Sequence, residues 1–216
     1  RIPHFAPRAY IIFGSKHKAK PYGKIWLDDK NPKPLDISKI VMPKDVGRCS
    51  LCLGVSIVGD INNDGKDEIG IGLGYDGKDK MGEARIFYGK NFPKILKLND
   101  SDVTITASTK AFTKRVAKES KLVNKEQRIW AQRIEQIRPV KDFNCDGNND
   151  ILVTARSSVQ NLEGKPERTG GAAIFFGSNE KLSSQLNIGD ADVWIGNSQK
   201  SLIGQPAIDR HFDMNG

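Results

Sequence analysis

The sequence predicts an all-β protein built from repeated units of short strands. Twenty-one glycines and ten prolines in 216 residues suit strands joined by turns better than helices. Residues 69–73 alternate isoleucine or leucine with glycine, and residues 151–154 form a short apolar run of strand length. Short strands that recur at regular spacing are typical of sandwiches, barrels and propellers.

Internal repeats organise the chain, since three kinds of segment recur in the same order. An acidic loop occurs at residues 58–69 and 140–151 and begins again at 211–216. An aromatic pair or Ile-Phe followed by glycine occurs at 12–14, 87–89 and 175–177. A third segment, with two aspartates before an apolar strand, occurs at 100–105 and 190–195. Repeats of this kind indicate a supersecondary unit built more than once.

The acidic loop carries the chemistry of the chain. Oxygen-bearing side chains stand at its first, third and fifth positions, glycine at the sixth and an acid at the ninth. Calcium takes about six to eight oxygen ligands, and glycine allows the sharp turn. The carbonyl of the seventh residue is placed to add a backbone oxygen. The predicted Ca²⁺ ligands are Asp60, Asn62, Asp64, Lys66 and Glu68 in the first loop, Asp142, Asn144, Asp146, Asn148 and Asp150 in the second, and Asp213 and Asn215 in the partial third.

Two other kinds of loop share part of this acidic pattern. An EF-hand or dockerin-like loop needs an acid at position twelve and helices on both sides. Position twelve is Ile71 in the first loop and Val153 in the second, both inside predicted strands, so that interpretation is excluded. Metal-free polar turns remain the alternative. Two complete copies disfavour them, because clustered acids repel one another without a cation.

These motifs resemble the FG-GAP repeat. The resemblance rests on the acidic loop running into a short apolar strand, and on the aromatic-glycine ending. That repeat builds the propeller of integrin α subunits and occurs in bacterial surface proteins and in glycosylphosphatidylinositol-specific phospholipase D. The resemblance implies calcium loops on one propeller face and a protein or glycan ligand on the opposite face. The small-residue strand expected before the loop is recognisable at 53–58 but poor before Asp142.

The resemblance implies a partial β-propeller of about three blades. Residues 1–50 would end one blade and start the next, and 51–109 would form the first complete calcium-loop unit. Residues 110–138 are read as a basic insertion, 139–200 as the second unit, and 201–216 as the start of a third. Because propellers generally need about four to eight blades, we expect the chain to be a piece of a longer protein.

The basic insertion at 110–138 differs in composition from the rest. It holds nine Lys and Arg against three Glu, which is +6 of the formal +8 of the chain. Ile129, Trp130, Ile134 and Ile137 fall near helical spacing, so we expect a helix at 125–138. The insertion either binds an anionic partner or is a solvated helix packed on the propeller. Nucleic acid is not favoured, because no aromatic residues are interleaved for base stacking.

Catalysis has little support in the sequence. His4, His17 and His211 are scattered, and none has a metal-ligand or triad-like spacing. Cys49 and Cys52 have no second CxxC pair to complete a zinc site. No run of about 18 apolar residues predicts a membrane span. The chain is therefore expected not to be an enzyme.

The predicted function is that of an extracellular, calcium-binding module for ligand binding or adhesion. Its location follows from the weak calcium affinity typical of extracellular modules and from the resemblance. One alternative is the non-catalytic calcium-binding propeller domain of a secreted enzyme, of the phospholipase or polysaccharide lyase type. Another is a purely structural spacer.

Overall fold

The computed structural model describes residues 8–12, 37–41, 53–74, 82–89, 92–107, 129–160 and 166–196. Within these ranges the regular structure consists of strands and two short 3-10 helices. The strands are β1 (Arg8–Ile12), β2 (Ile37–Val41), β3 (Leu53–Gly59), β4 (Glu68–Leu73), β5 (Glu83–Phe87), β6 (Ile95–Lys97), β7 (Val103–Thr106), β8 (Ile129–Lys141), β9 (Asp150–Gln160), β10 (Pro166–Phe175), β11 (Gln185–Asn187) and β12 (Val193–Gly196), with 3-10 helices at Leu98–Asp100 and Ile188–Asp190.

The strands form three open sheets. The N-terminal sheet has the order β1-β2-β6, the central sheet β11-β7-β5-β4-β3, and the C-terminal sheet β12-β10-β9-β8. The predicted all-β class is confirmed for the described part of the chain. The described residues contain no helix long and apolar enough to cross a membrane.

The repeats of the sequence are repeats of the structure. In each unit a strand leads into the acidic loop, and the chain returns antiparallel through the next two strands: β3, β4 and β5, then β8, β9 and β10. The chain then adds a short parallel strand to the preceding sheet, β6 beside β2 and β11 beside β7. It returns to its own sheet as β7 or β12. Successive units are therefore interlocked.

The aromatic-glycine segments end the third strand of each unit and not the last one. β5 runs to Phe87 and β10 to Phe175, and the outer strands β7 and β12 follow along the chain. The aromatic-glycine ending of the FG-GAP resemblance, taken as the end of a blade, therefore does not hold for the described units. The third recurring segment, at 100–105 and 190–195, supplies the outer strand instead.

Strand β4 of the central sheet is buried on both faces. Ile69, Ile71 and Leu73 of β4 share an apolar cluster with residues of the N-terminal sheet. The glycines between them face β8, where a Cβ on Gly72 would lie 2.9 Å from the carbonyl oxygen of Glu135. The isoleucine-glycine alternation thus reflects two contacts, side-chain packing on one face and close approach of backbone on the other.

The predicted helix at 125–138 is wrong where the structure describes it, because β8 runs as a strand over Ile129–Lys141. Ile134 and Ile137 are both fully buried in the core between the central and C-terminal sheets. The pairing of β8 with β9 shifts between Ile134 and Gln136. A β-bulge places one extra residue in the strand, so side chains three apart face the same side. The three-residue spacing of Ile134 and Ile137 therefore resembled the spacing of one face of a helix.

Several predictions fall on residues outside the described ranges. These are most of the basic insertion (110–128), the partial third loop with Asp213 and Asn215, and the pair Cys49 and Cys52.

Candidate metal centre

The first acidic loop joins β3 to β4 and is held by its own carboxylates. Asp60 accepts hydrogen bonds from the backbone N–H groups of Asp64 (3.0 Å) and Gly65 (2.8 Å). Asp64 accepts one from the N–H of Lys66 (3.0 Å). Asn63 and Gly65 have φ values of 55° and 82°, so glycine at the sixth position relieves a left-handed turn.

The second loop joins β8 to β9 and repeats these bonds. Asp142 accepts from the N–H groups of Asp146 (2.9 Å) and Gly147 (2.8 Å), and Asp146 accepts from that of Asn148 (2.8 Å). Cys145 and Gly147 have φ values of 61° and 92°. The shared sequence pattern therefore produces a shared loop conformation.

The acid at the ninth position ties each loop to the aromatic-glycine segment of its unit. Glu68, with 0% of its surface exposed, accepts from the N–H groups of Ile61 (2.7 Å) and Gly89 (3.1 Å). Asp150 accepts from those of Phe143 (2.7 Å) and Gly177 (2.8 Å). These bonds satisfy buried backbone donors that would otherwise be costly.

The glycine of that segment is needed for space as well as for its N–H. A Cβ on Gly89 would lie 2.9 Å from the carbonyl oxygen of Asp67, and one on Gly177 would lie 2.7 Å from that of Ile61. The sequence showed that this glycine recurs but not why. The reason is that backbone carbonyls of the first acidic loop lie too close to Gly89 and Gly177 to leave room for a side chain.

Three carboxylates meet in the first loop. One oxygen each from Asp60, Asp64 and Glu68 lies within 4.8 Å of the others, so the group can hold a metal ion. It is the one such group of three found among the described residues. Asp142, Asp146 and Asp150, although all described, do not meet as closely.

A buried amide oxygen supports a cation at this group. Asn62 is 7% exposed, and its Oδ1 is buried without a hydrogen-bond donor. Its Nδ2 lies 3.3 Å from Oδ2 of Asp64. A buried acceptor without a partner is costly, and turning the amide by half a turn would bring Oδ1 beside Asp64, where a cation would give it a partner. The donor set of the first loop therefore fits a metal ion.

The second loop has a similar acceptor at a different position. Oδ1 of Asn148 is buried without a hydrogen-bond donor, while its Nδ2 bonds to Asp146 (3.0 Å). Sequence reasoning assigned this residue a role through its carbonyl alone. The contacts described for Lys66 and Asn148 are made by their N–H groups, so carbonyl ligation stays a prediction.

Burial sets the electrostatics of the ninth position. Desolvation raises the pKa of Glu68, the negative charges of Asp60 and Asp64 raise it further, and the two backbone N–H donors oppose the rise. Desolvation also raises the pKa of Asp150. The pKa of Asp146 is lowered, first by the hydrogen bond from Asn144. A cation near the ninth position would offset the penalty on the charged carboxylate.

The aspartates of the third recurring segment have structural roles that the sequence did not predict. Asp102 and Asp192 accept from the N–H groups of Tyr88 (2.9 Å) and Phe176 (2.8 Å). Asp100 and Asp190 accept from backbone N–H groups at the start of the two 3-10 helices. Only the recurrence of these aspartates in the sequence indicated that they have a role. Their hydrogen bonds hold the chain where it enters the outer strands β7 and β12.

Comparison of the chain with models of known protein families, with characterised proteins and with solved structures finds no match. The function is therefore argued from the geometry of the loops.

Proposed function

We propose that the chain is a calcium-binding module of the FG-GAP type, in which cations held by the acidic loops stiffen a β-propeller used for binding. The observation that carries the proposal is the first loop. One oxygen from each of three carboxylates lies within 4.8 Å of the others there, and the same loop holds Asn62, whose buried Oδ1 has no donor.

The ligand chemistry favours calcium. All the atoms that the first loop offers are oxygens, from three carboxylates and one amide, with the carbonyl of Lys66 as a further candidate. Hard cations with about six to eight oxygen ligands are bound in this way. Rotating the Asn62 amide by half a turn would exchange its Nδ2 for Oδ1 beside Asp64. The side chain would then face a cation with its acceptor.

The interlocked sheets support the propeller part of the proposal. Each unit lends a short strand to the preceding sheet, and neighbouring sheets share buried cores. Stacked sheets with repeated loops at one end are the arrangement expected of propeller blades. On this proposal the propeller face opposite the calcium loops binds a protein or glycan ligand. The calcium site works in the calcium-rich fluid outside the cell.

A titration of calcium into metal-free protein, followed by calorimetry, tests the metal site. Asp64→Asn should weaken binding at the first loop at least about tenfold, because it removes a charged ligand. Asp67→Asn is the matched control, because it makes the same change at an exposed position between two predicted ligands. Its affinity should equal that of the natural sequence. Equal affinity for both variants, or no binding at all, would overturn the proposal.

Thermal unfolding gives an independent measure. A ligand that binds the folded state alone stabilises it by about 2.7 kcal/mol at a hundredfold excess over Kd. Calcium should therefore raise Tm relative to chelator, and Asp64→Asn should reduce that rise more than Asp67→Asn does. An unchanged Tm at saturating calcium would contradict the proposed stiffening.

A further inference from the structure

The first loop is covered by the second unit of the chain. The carbonyl oxygen of Asp60 accepts a hydrogen bond from Nδ2 of Asn149 (3.1 Å) and faces the N–H of the same residue at 3.4 Å. The carbonyl oxygen of Ile61 accepts from the N–H of Ser178 (3.0 Å). Two consecutive carbonyls of the first loop are therefore held by a different unit.

Asn149 occupies a narrow place between the loops. It is the eighth residue of the second loop, between Asn148 and Asp150. Its side chain lies against Gly59, where an added Cβ would meet its Cγ at 3.1 Å. Gly59 has a φ of 85° and directly precedes Asp60. Asn149 therefore contacts the backbone on which the first predicted ligand stands.

The covering contacts coincide with the burial of the first loop. Ile61 is 1% exposed and Asn62 is 7% exposed. At the equivalent places of the second loop Phe143 is half-buried and Asn144 is exposed. Both loops share the backbone hydrogen bonds to their first, fifth and ninth acids, so these bonds do not account for the difference in burial.

We propose that Asn149 is a positioning residue for the cation site of the first loop, so that calcium affinity there depends on the second loop. This rests on the proposed calcium site. Asn149 fixes the carbonyl of Asp60 and thereby the start of the ligand loop. Because binding couplings are reciprocal, calcium at the first loop in turn tightens its contact with the second unit.

The test isolates the first loop in the full chain. Asp146→Asn, at an exposed residue, removes a predicted ligand of the second loop and serves as the parent. Asn149→Ala is then added, and calcium affinity is measured by calorimetry. Loss of the one side-chain hydrogen bond that holds the Asp60 carbonyl should weaken binding about three- to tenfold. Asn179→Ala is the control, because it removes another bond between the units, from Asn63 (3.0 Å), that holds no predicted ligand.

A merely structural role gives a different result. Asn149→Ala would then lower Tm equally in calcium and in chelator and leave the affinity unchanged, which would overturn the proposal. The positioning role predicts a larger fall of Tm in calcium than in chelator. If Asn149→Ala does not fold, Asn149→Ser provides a milder truncation, with the same two outcomes.

The failure of this inference can be told from the failure of the proposed function. A parent that binds calcium, with an unchanged affinity after Asn149→Ala, would reject the positioning role alone. A parent and a natural sequence that both fail to bind calcium would reject the metal site and this inference together.

Discussion

The two acidic loops share a sequence pattern and a set of hydrogen bonds, but they differ in surroundings. In both, the first acid accepts from the fifth and sixth N–H groups, and the ninth acid accepts from the second N–H and from the glycine of the aromatic segment. In the first loop Ile61 and Asn62 are buried, the carbonyls of Asp60 and Ile61 are held by Asn149 and Ser178, and the three carboxylates meet.

This difference shows that the conformation of the loop and the burial of the loop have separate causes. Local sequence sets the turn, because the first and fifth acids bond to backbone N–H groups within the same nine residues. The neighbouring unit sets how deeply the loop is buried. The ninth residue also differs, since Glu68 has one methylene more than Asp150.

The largest effect is expected where the second unit meets the first loop. Gly177→Ala would place a Cβ in collision with the carbonyl oxygen of Asn149 and 2.7 Å from that of Ile61, and both are backbone atoms. We expect a loss of about 3 kcal/mol or more in the free energy of unfolding. Chemical denaturation in chelator measures it.

Gly147→Ala is the matched control for that change. Its φ is 92°, but nothing lies within 4 Å of an added Cβ. The strain of a left-handed alanine should cost about 1–2 kcal/mol. If Gly177→Ala costs no more than Gly147→Ala, the close packing of Gly177 against the carbonyls of Asn149 and Ile61 is wrong.

The ninth position should show the next largest difference. Glu68→Ala leaves the buried N–H groups of Ile61 and Gly89 without an acceptor, at about 1–3 kcal/mol for each such group. Asp150→Ala leaves the N–H groups of Phe143 and Gly177 without an acceptor. Of the two lost bonds, the one from Phe143 is only partly buried. In metal-free protein the first substitution should therefore cost about 1 kcal/mol more. The reverse order of the two unfolding free energies would contradict the assigned burial.

A smaller effect is expected at the aromatic residue of the first unit. The Oη of Tyr88 accepts a hydrogen bond from the N–H of Leu182 (2.7 Å), which lies in the second unit. Tyr88→Phe removes that acceptor and should lower the free energy of unfolding by about 1 kcal/mol. Phe176, which stands at the matching place in the second unit, already lacks the hydroxyl. An unchanged stability would mean that this bond contributes nothing to the interlock.

The smallest effect concerns pH. Burial raises the folded-state pKa of Glu68 above its ordinary value, so the folded state binds more protons than the unfolded state between the two values. In metal-free protein this carboxyl should therefore make stability fall as pH rises through that window. Glu68→Gln should remove that part of the slope in denaturation measured across a pH series. An identical slope in both proteins would show that Glu68 titrates normally.

The sequence predicted the parts of the fold that depend on local patterns. The alternation at 69–73, the glycine at the sixth loop position and the recurrence of the loops all correspond to features of the structure. Contacts between distant segments could not be predicted. The parallel strands β6 and β11 each join the preceding sheet, and three-residue strands carry too little pattern to show it.

Strand β8 shows how a local pattern can mislead. Its bulge between Ile134 and Gln136 puts buried side chains at a spacing of three, as in a helix. The bulge is visible only from the pairing with β9. The site shows the same limit, since Gly89 and Gly177 donate to acids 21 and 27 residues earlier in the chain, and Gly177 also lies against Ile61 of the first loop.

A crystal structure grown in calcium tests the central claim most directly. It should show a cation between Asp60, Asp64 and Glu68, with about six to eight oxygen ligands at roughly 2.3–2.6 Å. Oδ1 of Asn62 should be among those ligands, turned toward the ion in place of Nδ2. An empty first loop in saturating calcium, with Nδ2 of Asn62 still bonded to Asp64, would contradict it.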